Sequence, residues 1–170
     1  GRPGTIGTRA GNFTVQNADL LVILGARLNV RQVSYNWQSF AREAFKIQVD
    51  ADLAEFKRPM VKIDMPVHCD ARLFLEELER QIDRSDYDNN KHHGWLTWCR
   101  ERVAKYPVVL ERHRTFNGRI NPYHFIETLF SRLADDDVVV CANATACIVP
   151  FQTAFLKKGQ RLFSNSGSAS

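Results

Sequence analysis

The sequence has few of the features that mark membrane proteins, disulfide scaffolds or metal centres. No apolar run approaches the roughly 20 residues that a membrane-spanning helix needs, and no signal-peptide pattern opens the chain. The four cysteines have no CxxC spacing, so we expect buried free thiols rather than a disulfide or zinc framework. The sequence therefore predicts a cytoplasmic protein with no membrane partner.

Concentrated positive charge and the common catalytic motifs are also missing. Lysine and arginine total 23 against 19 acidic residues among 170, for a net charge of +4. The basic residues are scattered, whereas nucleic-acid binding favours a basic stripe, so no nucleic-acid partner is expected. No P-loop, GxSxG or HExxH motif occurs, and "GTIGTRAG" is not the GxGxxG fingerprint of NAD-binding domains. The sequence by itself identifies no catalytic residue and no metal ligand.

The first half of the chain has the pattern of an α/β unit. The run "DLLVILGARLN", which follows a short predicted helix at residues 10–18, predicts a strand buried on both faces. A second strand is expected in "AFKIQVDAD", and "NWQSFARE" between them predicts a crossover helix. A helix over residues 70–82, capped by Asp70, completes the unit. The fold class is therefore α/β with a doubly wound, mostly parallel sheet.

The second half repeats this organisation after a polar connector that begins at residue 83. One helix precedes Pro107, and a second starts with Asn121 as cap and Pro122 at the first helical position. A buried strand in "DDDVVVCANA", a helix containing Pro150 and a strand in "QRLFSN" follow. We predict a domain at 1–82, a linker with one helix at 83–119 and the start of a second α/β domain at 120–170.

Three loops at predicted strand ends are candidate ligand sites, because ligands bind at the carboxyl ends of strands in parallel sheets. In the first two, a nucleotide could lie across Gly25, Arg27 and an aspartate, Asp50 or Asp52. The alternative is that Gly25 only turns the chain and that Arg27 pairs with a nearby carboxylate. The third loop, residues 143–145, suits a diphosphate but equally suits an ordinary turn capped by Thr145.

Taken in order, these segments resemble the acetolactate-synthase-like branch of the thiamine-diphosphate-dependent enzymes. "GTIGTRAGNFTVQNADLLVILGARLNVRQ" and "FKIQVDADLAEFKRPMVKIDMPVHCDARLFLEEL" are similar to the central domain of that family. The segment from "INPYHFIETLF" to "RLFSNSGSAS" is similar to the start of its diphosphate-binding domain. The resemblance implies a homo-oligomeric parent enzyme that decarboxylates a 2-oxo acid with thiamine diphosphate and Mg²⁺, and this chain is expected to be an inactive piece of it.

The resemblance also implies site residues. The cofactor diphosphate is expected at Asn143, Ala144 and Thr145, although many relatives carry glycine where Ala144 stands. The small residues Ser166, Gly167 and Ser168 fall beside the expected position of the thiamine rings. FAD is an optional second cofactor of such central domains, with seven candidate contacts: Gly7, Thr8, Arg9, Gly25, Arg27, Asp50 and Asp52. A nucleotide-binding module without catalysis and a structural module for subunit packing are the alternatives.

Overall fold

Two parallel β-sheets organise the chain in the computed structural model, which describes residues 2–58, 60–83, 88, 90–115 and 118–164. The first sheet has the order β1 (Leu20–Leu24), β2 (Phe45–Asp50) and β3 (Met65–His68). The second pairs β4 (Val138–Cys141) with β5 (Arg161–Ser164). Every strand pair is parallel, and helices lie between strands in sequence, so the predicted α/β class is confirmed.

Seven α-helices accompany the strands in the described part of the chain. They are α1 (Arg9–Gln16), α2 (Val30–Val33), α3 (Ala71–Ile82), α4 (His93–Lys105), α5 (Glu111–Arg114), α6 (Pro122–Arg132) and α7 (Thr145–Thr153). None of the described helices is long and apolar enough to cross a membrane. The predicted connector contains the short α5 in addition to the one expected helix.

The caps predicted for two helices are confirmed. The Asp70 carboxylate accepts hydrogen bonds from the N–H groups of Arg72 and Leu73 at the start of α3. The Asn121 side chain accepts from the N–H of Tyr123, and Pro122 occupies the first position of α6. These side chains satisfy N–H groups that have no partner within a helix, which explains why each helix begins where it does.

The crossover helix predicted in "NWQSFARE" is wrong. Between β1 and β2 the chain forms the four-residue α2 and a single 3-10 turn, Trp37–Ser39, and no longer helix. Ser34, which ends α2, has a φ of 65°, a backbone conformation in which a helix cannot continue. The parallel β1–β2 pair is therefore connected by a compact irregular segment.

Each sheet packs on one small core. In the first, Ile23 of β1 packs with Val33, Phe40, Ala41 and other buried residues of the β1–β2 connection. In the second, the α6 residues Ile126 and Phe130 pack with Val149 and Ala154 from α7 and its end. The cores lie between strands and helices, as expected for an α/β chain.

The expectation that β1 is buried on both faces is wrong, and so is the expectation that the strand in "DDDVVVCANA" is a buried one. Leu20, Val22 and Leu24, which alternate with the buried Ile23, are 53%, 40% and 37% exposed. In β4, Val138 and Val140 are exposed as well. An apolar run shows that both faces of a strand suit burial, but the covering layer comes from other segments. The described chain supplies a layer mainly on one side.

Candidate functional site

The structure brings the first two candidate loops together. Because β1 and β2 pair in parallel, with Leu24 opposite Val49, their carboxyl ends lie at one edge of the sheet. The N–H of Gly25 donates to the carbonyl of Val49 at 2.9 Å. Gly25 has a φ of 56°, and no atom lies within 4 Å of where its side chain would begin. The chain can therefore turn here with open space above it.

A buried glutamate outside the predicted set organises this edge. The Glu55 side chain, only 6% exposed, accepts from Arg27 Nε at 2.7 Å and from Arg58 Nη1 at 2.9 Å. The hydrogen bond from Arg58, followed by that from Arg27, holds the pKa of Glu55 below its ordinary value. The alternative interpretation of Arg27, pairing with a nearby carboxylate, is the arrangement that the structure contains. The sequence signal that could have identified this cluster is the three-residue spacing of Glu55 and Arg58, which places their side chains side by side on one helical turn.

The two predicted aspartates shape the turn that follows β2. Asp50 accepts from the N–H of Asp52, and Asp52 accepts from the N–H of Ala54, both at 2.9 Å. Each carboxylate uses one oxygen in this way, which leaves the other available to a ligand.

A cavity of about 350 Å³ opens beside the Glu55 cluster. Its lining includes Arg27, Gln48, Glu55, Arg58 and Lys62, but neither Asp50 nor Asp52. The structure therefore places Arg27 at this cavity and the two aspartates outside its lining. Three of the five polar side chains are cationic, which suits an anionic group.

The other candidate flavin contacts lie elsewhere. Gly7, Thr8 and Arg9 line a separate cavity of about 410 Å³, together with residues from α4 to α7 and the segments between them. Of the seven predicted flavin contacts, Arg27 thus lines one cavity and these three line another, while Gly25, Asp50 and Asp52 line neither.

The third loop, at the end of β4, has the form of an uncapped helix start. Ala144 occupies the cap position of α7 without a side-chain hydrogen bond, so the alternative of a turn capped by Thr145 is not what the structure contains. The Asn143 side chain instead accepts from the N–H of Ala144 at 2.7 Å. The first N–H groups of α7, on Thr145 and Ala146, have no acceptor in the described part of the chain. Free N–H groups at a helix start suit a phosphate, so this loop fits a diphosphate.

The backbone of Ala144 in this loop has a conformation that alanine rarely adopts. Ala144 has φ 56° and ψ −133°, a conformation that favours glycine because a Cβ is crowded there. Asn143 and Thr145, on either side, are exposed.

Two buried cysteines lie beneath the loop. Cys147 Sγ lies 3.0 Å from Ser164 Oγ, and Ser164 pairs with Cys141 across the β4–β5 ladder. Burial, with a smaller contribution from Cys147, raises the pKa of the Cys141 thiol. Both thiols are free, as expected. Ser166, Gly167 and Ser168 lie outside the described residues, so their predicted role stays a prediction.

No group of three or more His, Cys, Asp or Glu side chains that could hold a metal ion occurs in the ranges that the structure describes. The three loops offer groups that recognise anions and hydrogen-bonding ligands: N–H groups after β4, and arginines and carboxylates after β1 and β2.

The sequence of residues 1–78 matches the family model for the central domain of thiamine pyrophosphate enzymes. The acetolactate synthase large subunit of Corynebacterium glutamicum is 28% identical over 84% of this chain and 22% of its own length. Acetolactate synthase 2, chloroplastic, of Brassica napus is 31% identical over 81% of this chain and 20% of its own length. The probable acetolactate synthase large subunit of Methanococcus aeolicus is 31% identical over 58% of this chain and 17% of its own length.

The chain spans about a fifth of the length of these curated relatives. Their similarity extends past residue 78, since it covers up to 84% of this chain. The parallel α/β architecture agrees with that match. The resemblance to the thiamine-diphosphate-dependent enzymes is therefore confirmed, and the part of the chain that is similar to their central domain is residues 1–78.

Proposed function

We propose that this chain is part of a thiamine-diphosphate-dependent enzyme that decarboxylates a 2-oxo acid, such as pyruvate, and transfers the resulting acyl group. The observation that carries the proposal is the match to the central domain of that family together with relatives named acetolactate synthase. When bound, thiamine diphosphate supplies the nucleophilic carbon and the electron sink that the reaction needs. The Mg²⁺ requirement, the homo-oligomeric state of the parent enzyme and the cytoplasmic location are also parts of the proposal.

In this proposal residues 1–82 are part of the central domain, 83–119 connect it, and 120–170 begin the diphosphate-binding domain. The loop after β4 would hold the cofactor diphosphate. Its support is the unpaired N–H groups of Thr145 and Ala146 at the start of α7, where the helix dipole also favours an anion. Asn143 lies beside them with its side chain fixed by Ala144, and it would orient the same group.

We propose further that the chain alone does not catalyse the reaction, because it spans only about a fifth of the length of the relatives that are named acetolactate synthase. The test is an assay of the purified chain for CO₂ release from pyruvate with thiamine diphosphate and Mg²⁺. We expect no release above the background of cofactor alone. Release that scales with protein and disappears on heating would contradict the proposal.

Binding of the cofactor is a separate question that isothermal titration calorimetry answers. We expect thiamine diphosphate to bind more tightly than thiamine, since the loop would contact the diphosphate. Replacing Thr145 with proline would remove one of the two free N–H groups at a position where proline fits a helix start. If that variant bound thiamine diphosphate as tightly as the wild type, the loop would not be the diphosphate site.

A second candidate function is that of a nucleotide-binding module without catalysis, which the cavity beside Arg27 favours. The nucleotide would be FAD, near Gly25, Arg27, Asp50 and Asp52. A visible absorption spectrum of the purified protein tests it. A bound yellow flavin would support this function, and a colourless sample that stays colourless after incubation with FAD and gel filtration would exclude it.

A third candidate is a structural role in subunit packing. The exposed apolar face of β1, formed by Leu20, Val22 and Leu24, favours this function, because such a face is normally covered. Sedimentation equilibrium of the purified chain tests it, with a monomer at all concentrations as the contradicting outcome.

A further inference from the structure

The segment of residues 2–8, which leads into α1, is folded tightly against the start of that helix. The Thr8 N–H donates to the Arg2 carbonyl at 2.7 Å, which closes the segment into a compact turn. A side chain at Gly11, in the first turn of α1, would begin 2.6 Å from the Arg2 carbonyl oxygen, so only glycine allows this close approach. The position of the 2–8 segment relative to α1 is therefore fixed by its own backbone.

Arg2 reaches from this segment to the C-terminal end of α7. Its Nη1 donates to the Phe151 carbonyl, and its Nη2 donates to the Ala154 carbonyl at 3.3 Å. The last carbonyls of a helix have no partner within the helix and carry the negative end of its dipole, so a guanidinium there is stabilising. The last turn of α7 contains no basic residue of its own. Arg2 supplies that cation from 149 residues earlier in the chain.

Gln152 makes a second connection between the same two elements. Its Nε2 donates to the Gly7 carbonyl at 3.1 Å, and its Oε1 accepts from the Tyr123 hydroxyl of α6 at 2.9 Å. One end of the side-chain amide thus binds the 2–8 segment and the other binds α6. Because the Phe151 carbonyl accepts from Arg2, the segment holds α7 at two neighbouring residues.

The opposite end of α7 is the start of the helix, where the N–H groups of Thr145 and Ala146 have no acceptor in the described part of the chain. Pro150 lies between the two ends and removes one backbone hydrogen bond from the helix interior. A helix interrupted by proline tends to kink, so its direction depends on contacts to the residues beyond the proline. Arg2 and Gln152 make such contacts.

We propose that Arg2 and Gln152 are positioning residues for the loop after β4. By holding α7 at its C-terminal end, they fix the direction in which its first N–H groups point. The ligand part rests on the proposed function, in which those N–H groups hold the diphosphate of the cofactor. Gln152 lies seven residues after Thr145, or roughly 10 Å along the helix, so it acts through α7 and not by touching the cofactor. The affinity of a loop in the second half of the chain thus depends on contacts from the first half.

Two measurements on the whole purified chain test the proposal. Hydrogen–deuterium exchange without cofactor reports how firmly α7 is held, with α3 as the internal reference, and calorimetric titration gives the affinity for thiamine diphosphate. The test variants are Arg2→Gln and Gln152→Met. Arg2→Lys keeps the charge and a donor at the helix end. The control Arg100→Gln removes the same charge from an exposed residue of α4.

We expect the α7 amides to exchange about fivefold faster in Arg2→Gln and in Gln152→Met, with exchange in α3 unchanged. Thiamine diphosphate should bind both variants about fivefold more weakly. Arg2→Lys should recover part of that affinity, and Arg100→Gln should behave as the wild type does. Faster exchange in α3 to the same extent as in α7 would indicate a general loss of stability and would overturn the proposal.

The two measurements distinguish failure of this proposal from failure of the proposed function. If the wild type bound thiamine diphosphate and Arg2→Gln bound it equally tightly, with unchanged exchange in α7, the positioning role would be wrong and the cofactor loop would stand. If the wild type bound no thiamine diphosphate while α7 exchanged faster in Arg2→Gln, the cofactor loop would be wrong and the holding of α7 by Arg2 would be confirmed.

Discussion

The carboxyl ends of the strands in the two sheets differ in how many nearby polar groups are paired with other groups of the protein. After β1 and β2, Glu55 pairs with Arg27 and Arg58, and the turn aspartates bind backbone N–H groups. After β4, by contrast, the first N–H groups of α7 have no acceptor among the described residues, and Ala144 keeps a strained angle. At the carboxyl end of the first sheet the charged groups are thus paired within the protein, whereas at the end of β4 backbone N–H groups are unpaired among the described residues. An open strand end of this kind is the one suited to a bound anion.

The packing of the two sheets shows the same contrast. Val49 in the central strand of the first sheet is fully buried, whereas Val140 in β4 is 73% exposed. The first sheet has three strands and contacts α3, while the second has two strands and contacts α7. Burial therefore concentrates in the first half of the chain.

The largest expected effect on the free energy of unfolding comes from shortening a buried side chain of the first sheet. Val49→Ala removes two buried methyl groups and should lower the free energy of unfolding by about 2 kcal/mol. Val140→Ala removes the same groups from an exposed position and should change it by less than about 0.5 kcal/mol. Urea unfolding followed by circular dichroism measures both. Equal losses from the two variants would show that the second sheet is packed as firmly as the first.

A smaller effect, of opposite sign, is expected at the open loop. Ala144→Gly removes the Cβ from a conformation that favours glycine and should raise the free energy of unfolding by about 1 kcal/mol. The control Ala154→Gly, at a position with a φ of −61°, should instead be destabilising. Thermal unfolding measures both changes. A lower midpoint for Ala144→Gly would mean that the positive φ carries no strain.

The smallest of these effects is expected at the Glu55 cluster, where it is present at neutral pH and disappears as the pH falls. Because the folded pKa of Glu55 is lowered from about 4.5, its contribution to stability is present above that pH and is lost as the pH falls through the folded pKa. Glu55→Gln should therefore flatten the decline in unfolding midpoint below about pH 4.5.

Urea midpoints between about pH 3 and 7 measure that slope. Glu43→Gln, which removes an exposed pair with Arg42, is the matched control and should leave the midpoint at neutral pH nearly unchanged. If the urea midpoints of Glu55→Gln changed with pH in parallel with those of the wild type, Glu55 would not form its ion pairs with Arg27 and Arg58 in solution.

Local sequence patterns predicted most of the elements. Asp70 and Asn121 indicate helix starts through hydrogen bonds made within three residues of each cap, and the structure contains those bonds. Pro122 indicates the same start as Asn121 through its fixed φ. The apolar alternation of β2 and the glycine after β1 likewise predicted a strand and a turn. Such signals depend on neighbours along the chain, which is why they can be read from sequence.

The errors arose where distant segments decide the outcome. "NWQSFARE" has an acceptable helix composition, yet the compact β1–β2 connection leaves room only for α2 and one 3-10 turn. The pairing of Arg27 with Glu55 joins residues 28 positions apart, so local spacing could not choose it over a ligand contact. The separation of Arg27 from Gly7, Thr8 and Arg9, which line a different cavity, has the same origin.

The sequence by itself determined the α/β class, the caps and the resemblance to thiamine-diphosphate enzymes, because periodicity, capping residues and ordered motifs are properties of the chain as written. Only the tertiary structure decided which strand end is closed by Glu55 and which is open at Thr145. It also decided that Arg2 donates to the carbonyls of Phe151 and Ala154 at the end of α7. Charge and hydrogen-bond satisfaction depend on which groups meet in space, and folding alone brings those groups together.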